Sequence, residues 1–141
     1  MLIYGSTCDW WFPLCHAVLL CSRGKAELYQ CIWALDYANG REVRMATFRY
    51  ANGDHQLLSF GYEYSTDPDD NWYSSATNKT YPLFYSLDFG QHGTITAQSY
   101  RADQLTYNVS AGLKPSYEGF ATFNVTMFGI QATGYGVIEI V

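Results

Sequence analysis

The chain has 141 residues and a formal net charge of −5, with 48% hydrophobic and 15% charged residues. This composition excludes a disordered chain, and the length suits one domain with a single hydrophobic core. Only eight Lys and Arg residues are present and none form a basic patch, which excludes a nucleic-acid interface and a polybasic membrane segment.

Aromatic residues make up 18% of the chain, and Tyr alone occurs 13 times. Tyr suits a half-buried pleated surface, and it also lines apolar pockets with a polar tip. The composition therefore favours a β-rich protein with an aromatic pocket.

Residues 1–23 carry two competing patterns. The stretch 12–21 (FPLCHAVLLC) has the apolar core of a signal peptide, but Asp9 precedes it and no clear cleavage site follows. It is too short to span a membrane. We expect a first strand here, with a signal-like segment as the alternative, and we assign the domain to residues 24–141.

The cysteines lie in the first quarter of the chain and form no CxxC pair. They are Cys8, Cys15, Cys21 and Cys31. His16 is the only nearby helper for a metal ion, so no metal site is predicted. One or two disulfides remain an alternative to buried free thiols.

Alternating faces predict strands at 26–36, 42–50 and 55–64. The pairs Asn39-Gly40 and Asn52-Gly53 predict tight turns between them, because both central residues of such turns need positive φ. Together these signals predict an antiparallel β-meander.

A polar segment at 65–80 is predicted as a surface loop, since its acidic run lacks the Gly and the distal Glu of a calcium loop. Further strands are predicted at 81–89, 93–101, 117–128 and 131–141, the last two forming a hairpin around Gly129. We therefore expect an all-β fold, a single antiparallel meander of about eight strands closed or nearly closed into a barrel.

Motifs of the second half occur in a recognisable order. They are Tyr81-Pro82-Leu83, Asp103-Gln104, Tyr117-Glu118-Gly119 and Gly134-Tyr135-Gly136-Val137-Ile138-Glu139. This set resembles the C-terminal lipocalin-like domain of the carotenoid 1,2-hydratase/AttH family, to which fungal Diels–Alderase-like proteins are similar. The family often has Trp where this chain has Tyr117.

The resemblance covers residues 24–141 and implies a lipocalin-like barrel. It also implies an N-terminal β domain as a partner absent from this chain, because full-length relatives usually place a reactive pocket between two β domains. It implies a cyclase, isomerase or hydratase of secondary metabolism that binds an apolar polyene or terpenoid without a cofactor. A non-catalytic ligand-binding module and a truncated half of a two-domain enzyme are the alternatives.

Pericyclic catalysis needs a shaped apolar cavity and a donor to a carbonyl, whereas hydration needs a positioned acid. Glu118 and Glu139 are the candidate catalytic residues, since a turn centred on Gly129 would place these carboxyls almost opposite each other. Structural or solvated roles are the alternative for both. The candidate ligand-binding residues, for which core packing is the alternative, are Tyr29, Trp33, Trp72, Tyr85, Tyr117 and Tyr135.

Asn-x-Ser/Thr sequons begin at Asn78, Asn108 and Asn124. They favour glycosylation and the secretory pathway. A cytoplasmic location is the alternative, because Ser and Thr are common in strands and turns.

Overall fold

The computed structural model describes the backbone of residues 10–21, 27–37, 39–107 and 116–140, and the side chains within 29–37, 39–100 and 117–140. The strands in these ranges are β1 (Trp10–Cys21), β2 (Glu27–Tyr37), β3 (Glu42–Tyr50), β4 (His55–Ser59), β5 (Gly61–Tyr64), β6 (Asn71–Ser74), β7 (Lys79–Pro82), β8 (Phe84–Asp88), β9 (Gly93–Tyr107), β10 (Ser116–Met127) and β11 (Ile130–Ile140). Two short 3-10 helices, Pro68–Asp70 and Gly90–His92, complete the regular structure of the described residues, and none of their helices is long and apolar enough to cross a membrane.

Tight turns join β2 to β3 and β3 to β4 at the predicted Asn-Gly pairs, but the prediction of positive φ at both central residues is wrong, because Asn39 and Asn52 do not have positive φ and only the glycines do. Gly40 and Gly53 have φ of 80° and 90°, a region that side chains with a Cβ rarely adopt. The side-chain oxygens of Asn39 and Asn52 accept hydrogen bonds from backbone amides two residues ahead, at 3.0 Å in each case. Local turn chemistry thus determines the register of these hairpins.

The segment 65–80 is more regular than the loop predicted for it. Its residues 71–74 form β6, residues 79 and 80 begin β7, and these strands pair as a separate two-stranded hairpin. The strands were not predicted because most of their side chains are polar or exposed. Tyr73, Lys79 and Thr80 are exposed, and Ser74 is the only buried residue of β6.

The other strands form one nine-stranded antiparallel sheet in the order β4-β3-β2-β1-β11-β10-β9-β8-β5. Its two edge strands, β4 and β5, are separated in the chain by Phe60 alone. Two virtual bonds between Cα atoms span at most about 7 Å, so the two edges of the sheet meet at Phe60. The sheet is therefore curled on itself.

The core fills the inside of the curled sheet. On β10, Tyr117, Phe123 and Met127 are buried, whereas Phe120 and Asn124 between them are exposed, as the two-residue period of a strand requires. At one end of the core, the Phe48 ring packs edge-to-face against Phe89 and Phe128, with centroids 5.3 and 5.7 Å apart.

The β6–β7 hairpin covers the other end. The Trp72 ring stacks on Tyr81 with centroids 6.2 Å apart, and Tyr81 stacks on Tyr117 of β10 at 5.2 Å. Tyr81 and Leu83 are buried, so most of the Tyr-Pro-Leu motif belongs to this packing. The β6–β7 hairpin thus covers this end of the sheet, and a cavity lies between the hairpin and the sheet.

Candidate functional site

A cavity of about 210 Å³ lies at the end of the sheet that the β6–β7 hairpin covers. Its lining comes from β2, β5, β6, β7, β8 and β11, and consists of Ala34, Tyr62, Tyr64, Asn71, Thr80, Pro82, Tyr85 and Ile140. An apolar cavity of about 150 Å³ is enough to hold benzene. This cavity therefore has room for a single substituted ring or a short branched chain.

Tyr85 is the candidate ligand-binding residue that the structure places in the cavity wall. Its side chain is buried, and its hydroxyl donates a hydrogen bond of 2.9 Å to the carbonyl oxygen of Pro82. Burial raises its pKa well above the usual value of 10.0, so the phenol stays protonated at neutral pH. Since its proton is engaged, Tyr85 shapes the cavity more than it offers a donor to it.

Tyr62 lies in the same wall and carries a cation on its ring. The guanidinium carbon of Arg44 is 4.7 Å from the ring centroid, within the range of a cation–π interaction. Burial is the main cause that raises the pKa of Tyr62, and the Asp36 carboxylate adds to it, while the charge of Arg44 opposes both. The phenol is therefore a hydrogen-bond donor at neutral pH.

Arg44 is held in place by several acceptors. Its Nη1 donates to the carbonyl oxygens of Leu35 and Val43, at 2.9 and 3.2 Å. Its Nη2 forms a very short ion pair with Asp36 and lies 3.5 Å from Glu42. The side chain of Arg44 is only 12% exposed, so the guanidinium is oriented by fixed groups and not by solvent.

Trp72 and Tyr117, also candidate ligand-binding residues, pack in the aromatic stack under the hairpin. The Tyr117 hydroxyl lies 2.5 Å from Ser99 Oγ, which itself donates to the Phe120 carbonyl at 3.1 Å. A Cβ on Gly119 would approach the Tyr117 hydroxyl to 2.3 Å and Ser99 Oγ to 2.6 Å. The Tyr-Glu-Gly motif is thus explained by packing, because the Tyr117 side chain occupies the space that a residue with a Cβ would need at position 119.

The remaining aromatic candidates lie outside the curled sheet. Tyr29 and Trp33 share the outward face of β2, and Tyr135 is exposed on β11. Tyr135 stacks on Phe120 at 6.3 Å, and Phe120 stacks on Tyr100 at 6.4 Å. We call Tyr100, Phe120 and Tyr135 the outer aromatic row. None of these residues borders the cavity.

Glu118 and Glu139 are direct partners in the β10–β11 register, as the position of the turn predicted. Their neighbours Tyr117 and Ile140 are buried inside the sheet, so both carboxyls lie on its outer face. Partial burial raises the pKa of Glu139, and repulsion by Glu118 raises it further. The cavity lies on the opposite face, where Ile140 contributes to its wall. A catalytic role for the pair remains a prediction.

The sequon and cysteine side chains that the structure describes do not border the cavity. Asn78 is exposed at the β6–β7 turn, where its Oδ1 accepts a 2.5 Å hydrogen bond from the Tyr73 hydroxyl, and Asn124 is exposed on β10. Asn108 and Cys8 lie outside the described residues, as do the side chains of Cys15 and Cys21, while Cys31 is a free thiol. Within the described side chains, no group of His, Cys, Asp and Glu is arranged to hold a metal ion.

Sequence reasoning missed Tyr62 and Arg44, although a signal existed for each. Tyr62 lies two residues after the buried Phe60, and Arg44 shares its strand face with the buried Ala46 and Phe48. An arginine on an otherwise apolar face indicates a specific partner, because an unpaired buried cation is costly.

Comparisons with known proteins agree with this architecture. The chain is 32% identical over 111 residues to kievitone hydratase from Fusarium solani subsp. phaseoli, which covers 78% of this chain and 31% of that protein. It is 31% identical over 100 residues to dehydratase asqC from Emericella nidulans, covering 70% of this chain and 28% of the relative. The chain thus spans about a third of the length of these relatives, and no family model matches it.

Solved structures show the same fold. The crystal structure of kievitone hydratase from Nectria haematococca superposes with a TM-score of 0.71 at 28% identity, covering 94% of this chain and 38% of that one. An AttH-like protein from Nitrosomonas europaea gives 0.61 at 20% identity, covering 90% and 38%.

Fold and cavity together define a lipocalin-like, all-β protein built from antiparallel strands. Its homologues are kievitone hydratase, the asqC dehydratase and AttH-like structures, which is consistent with the carotenoid 1,2-hydratase/AttH-like family and with fungal Diels–Alderase-like proteins. The resemblance seen in the ordered motifs of the second half is confirmed.

Proposed function

We propose that this chain is part of a hydratase- or dehydratase-like enzyme of secondary metabolism and that its cavity binds an apolar small molecule. The main support for this proposal is the cavity, whose lining combines apolar side chains (Ala34, Pro82 and Ile140) with tyrosines that have hydroxyl groups. Such a combination is typical of small-molecule binding sites. The names of the homologous hydratase and dehydratase support the reaction class.

Hydration adds a proton to one carbon of a double bond and a water hydroxyl to the other, and the second proton of the water returns to the acid or to solvent. Dehydration is the reverse, and both need a positioned proton donor or a hydrogen bond that polarises the substrate. The lining residues that the structure describes carry hydroxyl and amide groups but no carboxyl. With about 210 Å³, the cavity holds one ring or one branched unit of a longer polyene or terpenoid.

Isotope labelling tests this function. The chain is incubated in ¹⁸O-water with a panel of alkenes that carry a phenol or ketone group, and product mass is measured. We expect a gain of one labelled water, and its loss in Thr80→Trp, which fills the cavity from an exposed position. Thr133→Trp, exposed on β11 away from the cavity, is the matched control. Equal turnover by Thr80→Trp, or no turnover by the unaltered chain, contradicts the proposal.

A non-catalytic ligand-binding module is the second candidate. It is favoured by the position of Glu118 and Glu139, whose carboxyls lie on the face opposite the cavity. For this function, the alkene panel binds without incorporating labelled water, and Ala at both positions leaves that binding unchanged.

We also propose that the outer aromatic row packs against a further β domain, of the kind that the resemblance implies. Phe120 and Tyr135 are large, exposed side chains beside the exposed Val137, and contiguous apolar surface of this kind marks interaction sites. The isolated chain is expected to bind a hydrophobic dye and to self-associate in light scattering, and Phe120→Ser with Tyr135→Ser to do so less. A monomeric, dye-silent chain contradicts this interface.

The curled sheet is proposed to close as a lipocalin-like barrel. If β4 and β5 are counted as one strand bent at Phe60, the nine strands of the sheet become eight, nine minus one. Slow amide exchange along both edges of residues 55–64 would support closure, and fast exchange along one whole edge would contradict it.

A further inference from the structure

We propose that the Tyr62 hydroxyl donates a hydrogen bond to an oxygen atom of the molecule bound in the cavity, and that Arg44 is the positioning residue that holds Tyr62 for this contact. This inference rests on the proposed function, in which the cavity binds an apolar small molecule. It adds a chemical requirement, since the ligand must be an apolar ring or branched chain with a carbonyl, ether or hydroxyl oxygen.

The environment of the three cavity tyrosines singles out Tyr62. The Tyr85 hydroxyl already donates to the Pro82 carbonyl. Tyr64 is 53% exposed, so water competes for its hydroxyl. Tyr62 is half-buried, and its hydroxyl makes no hydrogen bond to any residue that the structure describes. Tyr62 therefore has the partly desolvated donor that is still open to a ligand.

Tyr62 is held by two different strands, one through its backbone and one through its ring. Its backbone pairs with Leu87 of β8, while its ring lies under the Arg44 guanidinium of β3. The guanidinium is itself held by Asp36 and by two backbone carbonyls, those of Leu35 and Val43. A ring clamped in this way is ordered before the ligand arrives, and such preorganisation lowers the cost of binding.

Protonation leaves this hydroxyl with a proton that it can donate to a ligand oxygen. Burial keeps the pKa of Tyr62 above its usual value, so the phenol is neutral under physiological conditions. A neutral phenol can donate its one proton to a carbonyl oxygen and so draw electron density from a conjugated double bond. This is the polarisation that addition or loss of water beside a carbonyl requires.

Two ligands of the same shape test the inference. Acetophenone and α-methylstyrene differ only in a carbonyl oxygen replaced by a methylene group, and each fits a cavity of about 210 Å³. Their affinities for the whole chain are measured by NMR titration, and the ratio of the two is compared among variants. We expect Tyr62→Phe to lower the acetophenone preference about five- to tenfold, the effect of one net hydrogen bond. Tyr100→Phe, in the outer aromatic row, keeps the preference.

Arg44→Met is expected to lower the same ratio, and Arg44→Lys to restore part of it, because Lys keeps the cation but loses the fork that binds Asp36. A purely structural role would weaken both ligands equally and leave the ratio unchanged. The inference fails if Tyr62→Phe leaves the ratio unchanged, or if Tyr64→Phe removes the preference instead. If neither ligand binds to the unaltered chain, the proposed function and this inference are both contradicted. If both ligands bind and Tyr62→Phe leaves both affinities unchanged, the inference alone is contradicted.

Discussion

The Arg44 guanidinium lies 4.7 Å from the centre of the Tyr62 ring, and this contact bridges two strands that do not pair with each other. β4 pairs with β3 only from Met45 to Arg49, and its last residue, Ser59, lies opposite Met45. After Phe60 the chain continues as β5 and pairs with β8, so Arg44 lies one residue beyond the end of the β3–β4 pairing. The side-chain contact therefore links β3 to β5 beside the cavity wall that Tyr62 helps to form.

Loss of this bridge should destabilise the fold. Arg44→Met leaves Asp36 without its cation, and removing one partner of a largely buried, hydrogen-bonded pair should lower the free energy of unfolding by about 1–3 kcal/mol. Urea denaturation measures the change. Arg49→Met, an exposed position on the same strand, should change it by less than about 0.5 kcal/mol. An equally small change for Arg44→Met would show that the network contributes nothing.

Gly119 should tolerate no larger residue. Gly119→Ala places a methyl group 2.3 Å from the Tyr117 hydroxyl, and overpacking of this kind should cost about 1–3 kcal/mol in thermal or urea unfolding. Tyr117→Phe in the same chain should recover part of the loss, because it removes the nearest atom. Gly61→Ala is the matched control, since nothing lies within 4 Å of its Cβ position. Similar effects at Gly119 and Gly61 would refute the packing explanation of the motif.

Gln30 should be a site where an apolar residue stabilises the chain. Its side chain is buried on the inner face of β2, and neither its Nε2 nor its Oε1 has a hydrogen-bond partner among the described residues. Gln30→Leu has a similar volume and removes this desolvation cost, so unfolding should become about 1–2 kcal/mol more costly. Gln56→Leu is the control, because Gln56 accepts a hydrogen bond from the Tyr50 hydroxyl and should lose stability. Destabilisation by Gln30→Leu would mean that the amide has a polar partner in solution.

The Glu118–Glu139 pair should make stability depend on pH. Burial and the Glu118 charge raise the folded-state pKa of Glu139 above its usual 4.5, so ionisation disfavours the folded state. The protonated Glu139 carboxyl therefore contributes stability that is fully present below pH 4.5 and is lost as the pH rises through its raised folded-state pKa. Glu139→Gln should therefore stabilise the chain at neutral pH by about 0.5 kcal/mol and have no effect in acid.

Thermal unfolding at several pH values measures this difference. Glu63→Gln, at an exposed position of β5 that pairs with Ser86 and not with a second carboxylate, serves as the control. A Glu139→Gln profile parallel to that of the unaltered chain would show that the two carboxyls do not repel each other in solution.

Much of the local structure was predictable from sequence. The Asn-Gly turns, the alternation of β2 and β3 and the pairing of Glu118 with Glu139 depend on φ preferences and on a period of two residues, which are properties of short segments. The hairpin β6–β7 was missed because exposed polar side chains dominate it, and its buried face is formed with residues far away in the chain.

The sequence by itself therefore determined most of the strands, the positions of the main turns and the alternation of faces, and its ordered motifs indicated the family. Only the tertiary structure decided which tyrosines meet in a cavity. Arg44 and Tyr62 belong to strands near opposite edges of the sheet, and they touch only because the sheet curls until those edges meet at Phe60. Curvature depends on packing and register summed over all nine strands, and no short segment carries that information.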